Sequence, residues 1–199
     1  MQSNTSPTPW LSQAVGRRTL LGAGMGVALA PRVHAAPLPR TALVFPRDAG
    51  AHPDYAIEWW YVTGYAMDDN AKIAFGFQVT FFRSRIPGTQ AMQSSLAARQ
   101  LVFAHAALTD VRGRKLWHDQ RMARSSGAEP KDNPNDSAWT STQDTNIQLH
   151  DWSLARQGTD LQARIAARDF SIAVTLTATQ PVLLQGDRGL SQKGPDSAQ

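Results

Sequence analysis

The sequence contains no cysteine. This absence excludes disulfide bonds, thiolate metal ligands, a cysteine nucleophile and lipid attachment at cysteine. The chain has 199 residues, and the 164 that follow the first 35 are enough for one domain with a real core that needs no disulfide cross-links.

Long apolar runs and clustered charge are also missing. No apolar run reaches the roughly 20 residues that a membrane-spanning helix needs. The formal net charge is +4, but Arg17, Arg18 and Arg32 lie in the first 35 residues, where there is no acid, so the remainder carries 17 basic and 16 acidic side chains. We therefore expect no nucleic-acid partner, because that requires a clustered basic surface. We also expect no stable membrane anchor.

Two sequence patterns that carry well-known chemistry are absent. There is no Gly-x-Ser-x-Gly element, so the residues give no independent support for a serine hydrolase. There is no His-Glu-x-x-His element and no close pair of histidines. The sequence therefore predicts no metal site and no cofactor.

The first 35 residues have the organisation of an export signal. Arg17 and Arg18 precede an apolar stretch over 20–30, and small residues follow, ending at Ala35. This order predicts an export signal cleaved after Ala35, and the arginine pair favours the twin-arginine route. The alternatives are an ordinary Sec signal and a membrane anchor, although the stretch is short and glycine-rich for an anchor. We expect a periplasmic or secreted protein.

The rest of the chain has the two-residue periodicity of strands and no persuasive helical periodicity. The short loops between strands favour an antiparallel meander, which most simply protects its edges by closing into a barrel or a strongly curved sheet. We expect the longest loop at 124–138 and no regular structure after Gln185. The predicted strands span 58–67, 72–84, 101–110, 116–123, 147–156, 161–167 and 170–177.

The first two strands place aromatic side chains on both faces. Trp59, Tyr61 and Tyr65 alternate with Trp60 and Val62. In the next strand the apolar face is uniform, whereas the opposite face contains the polar residues Gln78 and Thr80. This pattern describes a ligand pocket as readily as a packed core.

Several motifs resemble a known family. Glu58-Trp59-Trp60-Tyr61 beside Gly76-Phe77-Gln78-Val79-Thr80-Phe81-Phe82-Arg83 is specific, and the likeness spans nearly all of 45–195. The chain resembles the AttH-like, lipocalin-like secreted hydrolases, which are related to carotenoid 1,2-hydratase (hydroxyneurosporene synthase). Further matching segments are Phe45-Pro46-Arg47-Asp48, His52-Pro53, Phe103-Ala104-His105-Ala106-Ala107-Leu108, the segment around Trp152, Leu184-Gln185-Gly186-Asp187 and Gly189-Leu190-Ser191-Gln192-Lys193-Gly194-Pro195.

The resemblance implies an all-β, lipocalin-like domain. It also reveals two departures: Asp48-Ala49-Gly50 stands where the family has Asp-His-Gly, and the chain ends where a second lipocalin-like domain would follow. A second such domain is therefore an expected partner. We divide the chain into a signal peptide at 1–35, an extended lead-in segment at 36–57, a β domain at 58–184 and a polar, interdomain-type tail at 185–199.

Glu58 is the candidate catalytic acid. A carboxyl group packed among aromatic rings is favoured in its protonated form and can donate a proton, as an alkene hydratase requires. The structural alternative is a salt bridge to Arg83 or Arg85 on the neighbouring strand. Both interpretations stay open at the level of the sequence.

The candidate ligand-binding residues are mostly aromatic or polar residues within strands. Tryptophan faces can stabilise a carbocation, although ordinary core packing explains them equally well. His105 lies among apolar residues, so a satisfied core histidine is the alternative there. His118 and His150 also lie in predicted strands. The ligand-binding set is His52, Trp59, Trp60, Tyr61, Gln78, Arg83 and His105.

Two functions follow from these residues and the resemblance. The first is a hydrolase or hydratase that acts on an apolar, isoprenoid or lipid-like small molecule. The second is a lipocalin-like carrier, or the inactive half of a two-domain enzyme, that binds such a molecule without chemistry.

Overall fold

The computed structural model describes residues 42–94, 96–129, 137–194 and 197–198, the last five of these by their backbone only. The signal peptide predicted at 1–35 lies outside the described residues. So does the first part of the lead-in segment.

Four long strands form the first sheet, which we call the N-terminal sheet. They are β1 (Ile57–Met67), β2 (Ile73–Arg85), β3 (Gln100–Asp110) and β4 (Lys115–Ser125), paired antiparallel in that order. Aspartates shape two of the turns. Asp68 Oδ1 accepts hydrogen bonds from the backbone N–H groups of Asn70 and Lys72. Asp110 Oδ1 does the same for Arg112 and Gly113.

Five shorter strands form the C-terminal sheet, again antiparallel and in chain order. Gly158 supplies the positive φ of 63° that the turn between the third and fourth of them requires. The strands are β5 (Ala138–Thr140), β6 (Asn146–Leu149), β7 (Trp152–Gln157), β8 (Asp160–Ala166) and β9 (Ser171–Thr177).

The structure corrects three sequence-based expectations. The single strand predicted over 147–156 is two strands, because the chain turns at His150, whose φ is +55°, and Asp151. His150 is therefore a turn residue. The strand β5 was not predicted, and it begins at Ala138, the last residue of the predicted long loop. After Gln185 the chain forms a small hairpin of β10 (Gln192–Gly194) and β11 (Ser197–Ala198), where no regular structure was expected.

The core lies between the two sheets. Val79, Phe81 and Val102 of the N-terminal sheet are fully buried against the C-terminal sheet. Burying each large apolar side chain contributes on the order of 2 kcal/mol. The C-terminal sheet contributes mainly Ile147, Leu149, Trp152, Leu154, Ala163, Ile165 and Ile172.

The fold is all-β, with two antiparallel sheets. Among the described residues, no strand pairing joins one sheet to the other, so no closed barrel is formed by them. The helical content of the same residues is two short 3-10 helices, Arg47–Ala49 and Pro87–Thr89. No helix there is long and apolar enough to span a membrane.

The lead-in segment connects the two sheets at one end of the core. It contains the first 3-10 helix, whereas the sequence predicted an extended chain. Ala49 O accepts hydrogen bonds from Trp60 Nε1 on β1, at 2.9 Å, and from Thr145 Oγ1 next to β6, at 3.0 Å. Gly50 fits tightly, because a Cβ there would lie 2.9 Å from the backbone carbon of Thr142.

Leu43, near the start of the described residues, lies beside Gly189 in the segment that follows the C-terminal sheet. A Cβ on Gly189 would lie 2.7 Å from Leu43 Cδ1 and 3.9 Å from Leu184 Cδ2. The apolar run at 181–184 is exposed and forms no strand.

Candidate functional site

One face of the N-terminal sheet packs on the core, and the other carries exposed aromatic and apolar side chains. Because strand residues alternate between faces, the burial of Trp60 and Val62 turns Trp59 and Tyr61 outward. Trp59 is 44% exposed and Tyr61 is 63% exposed. We call this outward surface the aromatic face. Its exposed large apolar residues are Ile57, Trp59, Tyr61, Tyr65, Met67, Leu116 and Met122.

The strand register arranges the aromatic face in rows across the sheet. One row is apolar and consists of Trp59, Phe82, Phe103 and Met122. It crosses four strands and is therefore about 14 Å long. The Phe82 and Phe103 rings stack, with centroids 4.6 Å apart and planes 6° from parallel.

Two polar rows follow the apolar row. The first contains Tyr61, Thr80, His105 and Gln120. The second contains Thr63, Gln78, Ala107 and His118.

The polar side chains at the centre of the aromatic face touch one another. Gln78 Nε2 lies 3.4 Å from Thr80 Oγ1 and 3.5 Å from His105 Nε2. The His105 ring is tilted against Phe82 at 5.5 Å. The face therefore offers hydrogen-bonding groups immediately beside apolar contact area.

The C-terminal sheet provides an internal comparison. Its outward positions are small or polar, such as Ser153, Gln162, Arg164 and Thr175. Among the described residues of β5–β9, none is an exposed large apolar side chain. The extended apolar surface is therefore confined to one sheet. Such a local patch is typical of an interaction site.

A second cluster lies on the opposite side of the N-terminal sheet, beneath the lead-in segment. Arg83 is fully buried, and its guanidinium donates to Glu58 Oε2, with Nε at 2.7 Å. Its Nη2 also donates to the backbone oxygens of His52 and Tyr55, each at 2.8 Å. The salt bridge from Glu58 to Arg83, one of the two partners expected from the sequence, is present.

His52 completes this cluster. Its backbone N–H donates to Glu58 Oε2 at 2.8 Å, and its Nδ1 lies 2.6 Å from Glu58 Oε1. The Tyr55 ring stacks on the imidazole at 4.9 Å. Both carboxylate oxygens of Glu58 are therefore already held by protein donors.

Asp48 anchors the other end of the lead-in segment. Hydrogen bonds from the Arg47 guanidinium and the Val44 N–H hold the pKa of Asp48 well below its usual range. The carboxylate lies 3.6 Å from His52 Nε2. Asp48 thus links the 3-10 helix to the Glu58 cluster.

The structure divides the predicted site residues between these two places. Trp59, Tyr61, Gln78 and His105 lie on the aromatic face, whereas Glu58, His52 and Arg83 form the cluster on the opposite side. Trp60 packs against the core and bonds to the lead-in segment. His105 is exposed, so its interpretation as a satisfied core histidine is wrong.

Sequence reasoning missed Met122 and Arg124 as members of the aromatic face. The register of β4 aligns them with Phe103 and Leu101. The strand was predicted to end at Ala123, one residue before Arg124. Period-two alternation from Leu116 onward would have found both residues.

No metal centre was predicted. In the part of the chain that the structure describes, no group of three or more histidine, aspartate or glutamate side chains is arranged to hold a metal ion.

Comparison with known proteins gives a family and a solved structural neighbour. The family model described as AttH-like matches residues 36–199. A Nitrosomonas europaea protein of known crystal structure, provisionally named AttH, is similar to this chain. The two sequences are 42% identical, and the two structures superpose with a TM-score of 0.66. The match covers 81% of this chain and 46% of that protein, so the chain spans less than half of its length. No curated protein matches this chain.

Proposed function

The chain belongs to the AttH-like family, and from the aromatic face we propose that it is an exported protein that binds an apolar, lipid-like or isoprenoid small molecule. The observation that carries the proposal is the row of Trp59, Phe82, Phe103 and Met122 beside the polar pair Gln78 and His105. A lipocalin-like curvature of the two sheets is part of the proposal.

The chemistry of the face suits such a ligand. Stacked and exposed aromatic rings offer a large apolar contact area, and exposed patches of this kind mark binding sites. Water is displaced from the ligand and from the rings together, which is the main source of affinity. The interior between the sheets is filled by side chains such as Phe81 and Trp152, so the outward surface is the better location for a ligand.

Binding without chemistry fits the geometry better than catalysis. The strand residues of the aromatic face include no carboxylate. Glu58 lies on the other side, with its oxygens held by Arg83 and His52. A proton donor for alkene hydration would need an acid that reaches the ligand. The catalytic role of Glu58 therefore stays a prediction, and the carrier is our preferred function.

Titration calorimetry with farnesol and dodecan-1-ol tests the binding proposal. We expect saturable binding that weakens about tenfold or more in Trp59→Ala, because a large apolar contact is lost. Thr175→Ala, an exposed position on the outer face of the C-terminal sheet, is the matched control and should bind as the unmodified protein does. No binding by folded protein, or equal losses in both variants, would overturn the proposal.

Bound ligands are then assayed for turnover. A carrier leaves them unchanged. Product formation that disappears in Glu58→Gln would contradict the carrier function and support an enzyme that uses Glu58.

Export is tested separately. We expect the mature protein in the periplasm or medium to begin at Ala36, as measured by mass spectrometry. Replacing Arg17 and Arg18 together by lysine should retain the precursor inside the cell. A mature protein that still carries residues 1–35 would contradict this part.

A further inference from the structure

The aromatic face carries basic side chains and no acidic ones at its strand positions. The outward positions of β1–β4 include no aspartate or glutamate, although the inward positions include Glu58, Asp110 and Asp119. The basic side chains of the face are His105, His118 and Arg124, and all three are exposed. From this asymmetry we propose that the ligand is an amphipath with an anionic head, in the simplest case a long-chain carboxylate. The inference rests on the proposed function.

The register places basic groups on both sides of the apolar row. His105 is in the row next to it on one side, with Tyr61, Thr80 and Gln120. Arg124 is in the row next to it on the other side, aligned with Ile57, Ser84 and Leu101. Each is two residues along its strand from the apolar row, which is about 7 Å. A hydrocarbon chain lying along the row therefore has a basic group beside it.

These groups suit an oxyanion. The guanidinium of Arg124 can donate two parallel hydrogen bonds to a carboxylate, and such charge-assisted pairs are roughly twice as strong as neutral hydrogen bonds. The imidazole of His105 donates an N–H even when it is neutral. Gln78, which is exposed and contacts Thr80 beside His105, adds a neutral donor that an alcohol can also use. A cationic head finds no carboxylate at the outward strand positions.

The chemistry therefore predicts an order among ligands of equal chain length. A carboxylate should bind most tightly. An alcohol should bind about tenfold more weakly, since it keeps the neutral hydrogen bonds and loses the charge-assisted ones. A primary amine should bind most weakly of the three.

The experiment compares dodecanoate, dodecan-1-ol and dodecylamine at pH 7.4 by calorimetry, each below the concentration at which it forms micelles. The variants are Arg124→Gln, His105→Gln and the double variant. Arg164→Gln, an exposed arginine on the outer face of the C-terminal sheet, is the matched control. We expect the double variant to lose the preference for dodecanoate over dodecan-1-ol, so that the ratio of the two dissociation constants falls from about ten to about one. Arg164→Gln should keep the preference.

The failure of this inference is distinguishable from the failure of the proposed function. If all three ligands bind equally, or if the preference survives in the double variant, then His105 and Arg124 do not recognise an anionic head group. The proposal of an apolar binding site on the aromatic face would still hold. If none of the three binds to protein whose circular dichroism is that of a folded β protein, the proposed function itself is overturned.

Discussion

At the scale of single residues, Arg83 is the most heavily bonded buried group of the described site. It lies at 0% exposure and donates to Glu58 and to the backbone oxygens of His52, Tyr55 and Pro53. A buried charge is stable only when it is paired and its donors are satisfied. Arg83 therefore fixes both Glu58 and the path of the lead-in segment.

Arg83→Met should lower the free energy of unfolding by about 3–5 kcal/mol, because it leaves the Glu58 carboxylate without its buried cation. Urea unfolding measures the change. Arg164→Met, at an exposed position, should stay within about 0.5 kcal/mol of the unmodified protein. Similar changes in the two variants would mean that the buried pair contributes little.

The pH dependence of stability should depend on Asp48. Its pKa is lowered in the folded protein, mainly by the Arg47 and Val44 hydrogen bonds. Its contribution is therefore fully present above the unfolded pKa of about 3.9, begins to shrink as the pH falls below that value, and is lost only as the pH falls through the lower folded pKa. We expect Asp48→Asn to be less stable than the unmodified protein at pH 7, with the difference shrinking at pH 3.

Urea titrations at pH 7, 5 and 3 measure that difference. Asp169→Asn is the control, because this carboxylate is 58% exposed. A difference for Asp48→Asn that stays constant down to pH 3 would contradict the assignment.

At the scale of elements, the β1–β2 pair shows how a glycine makes room in a sheet. A Cβ on Gly64 would lie 2.9 Å from Cζ of Phe77, its direct partner on β2, whereas a Cβ on Gly76 would meet only Thr109 Cβ at 3.9 Å. Gly64 therefore makes room for the Phe77 ring, which packs against the core. On the other face of the sheet, a Cβ on Gly76 would only come into ordinary van der Waals contact with Thr109.

Gly64→Ala should cost about 1–3 kcal/mol through overpacking against Phe77. Gly76→Ala on the neighbouring strand should be neutral or slightly stabilising, because alanine restricts the unfolded chain. The midpoints of urea unfolding compare them. Equal effects would show that the Phe77 ring moves aside without cost.

The long strands were predictable from sequence because they alternate over many residues. The β1–β4 boundaries agree with the expectation to within two residues. The break at His150 was missed, although the phase of the apolar alternation changes there. The buried residues Ile147 and Leu149 lie at odd positions before the turn, whereas Trp152 and Leu154 lie at even positions after it. The three residues of β5 are too few to show a period.

The candidate site was predictable only in part. Alternation within β1 and β2 separates Trp59 and Tyr61 from Trp60 and Val62. It does not say which face is buried, because both carry aromatic residues. That choice depends on the C-terminal sheet, whose apolar side chains cover one face only. The contact between His52 and Glu58 depends on the path of the lead-in segment, which local periodicity does not describe.

At the scale of the whole molecule, the two sheets share one core and should unfold together. Trp152 of the C-terminal sheet is fully buried, and its Nε1 donates to Ala166 O at 2.9 Å. Arg121 of β4 donates to the same oxygen at 2.6 Å and lies 5.0 Å from the Trp152 ring. This contact joins the last strand of one sheet to the other sheet.

Tryptophan fluorescence and far-ultraviolet circular dichroism should therefore report one coincident unfolding transition. Trp152→Ala should lower the free energy of unfolding by about 3–5 kcal/mol by both signals, because it removes a fully buried large ring. Trp139→Ala, at a partly exposed position on β5, should have a smaller effect. Two separate transitions would mean that the sheets are independent units.

The proximity of Leu43 to Gly189 has a consequence for the connectivity of the fold. The chain enters the two-sheet domain and leaves it again at neighbouring places, before the small β10–β11 hairpin, so a short linker can join residues 42 and 191 without crossing the core. New termini can then open at Gly158, where an added Cβ would meet nothing within 4 Å. The order of the strands along the chain is therefore separable from the packing of the sheets, and a circular permutant should retain the same core.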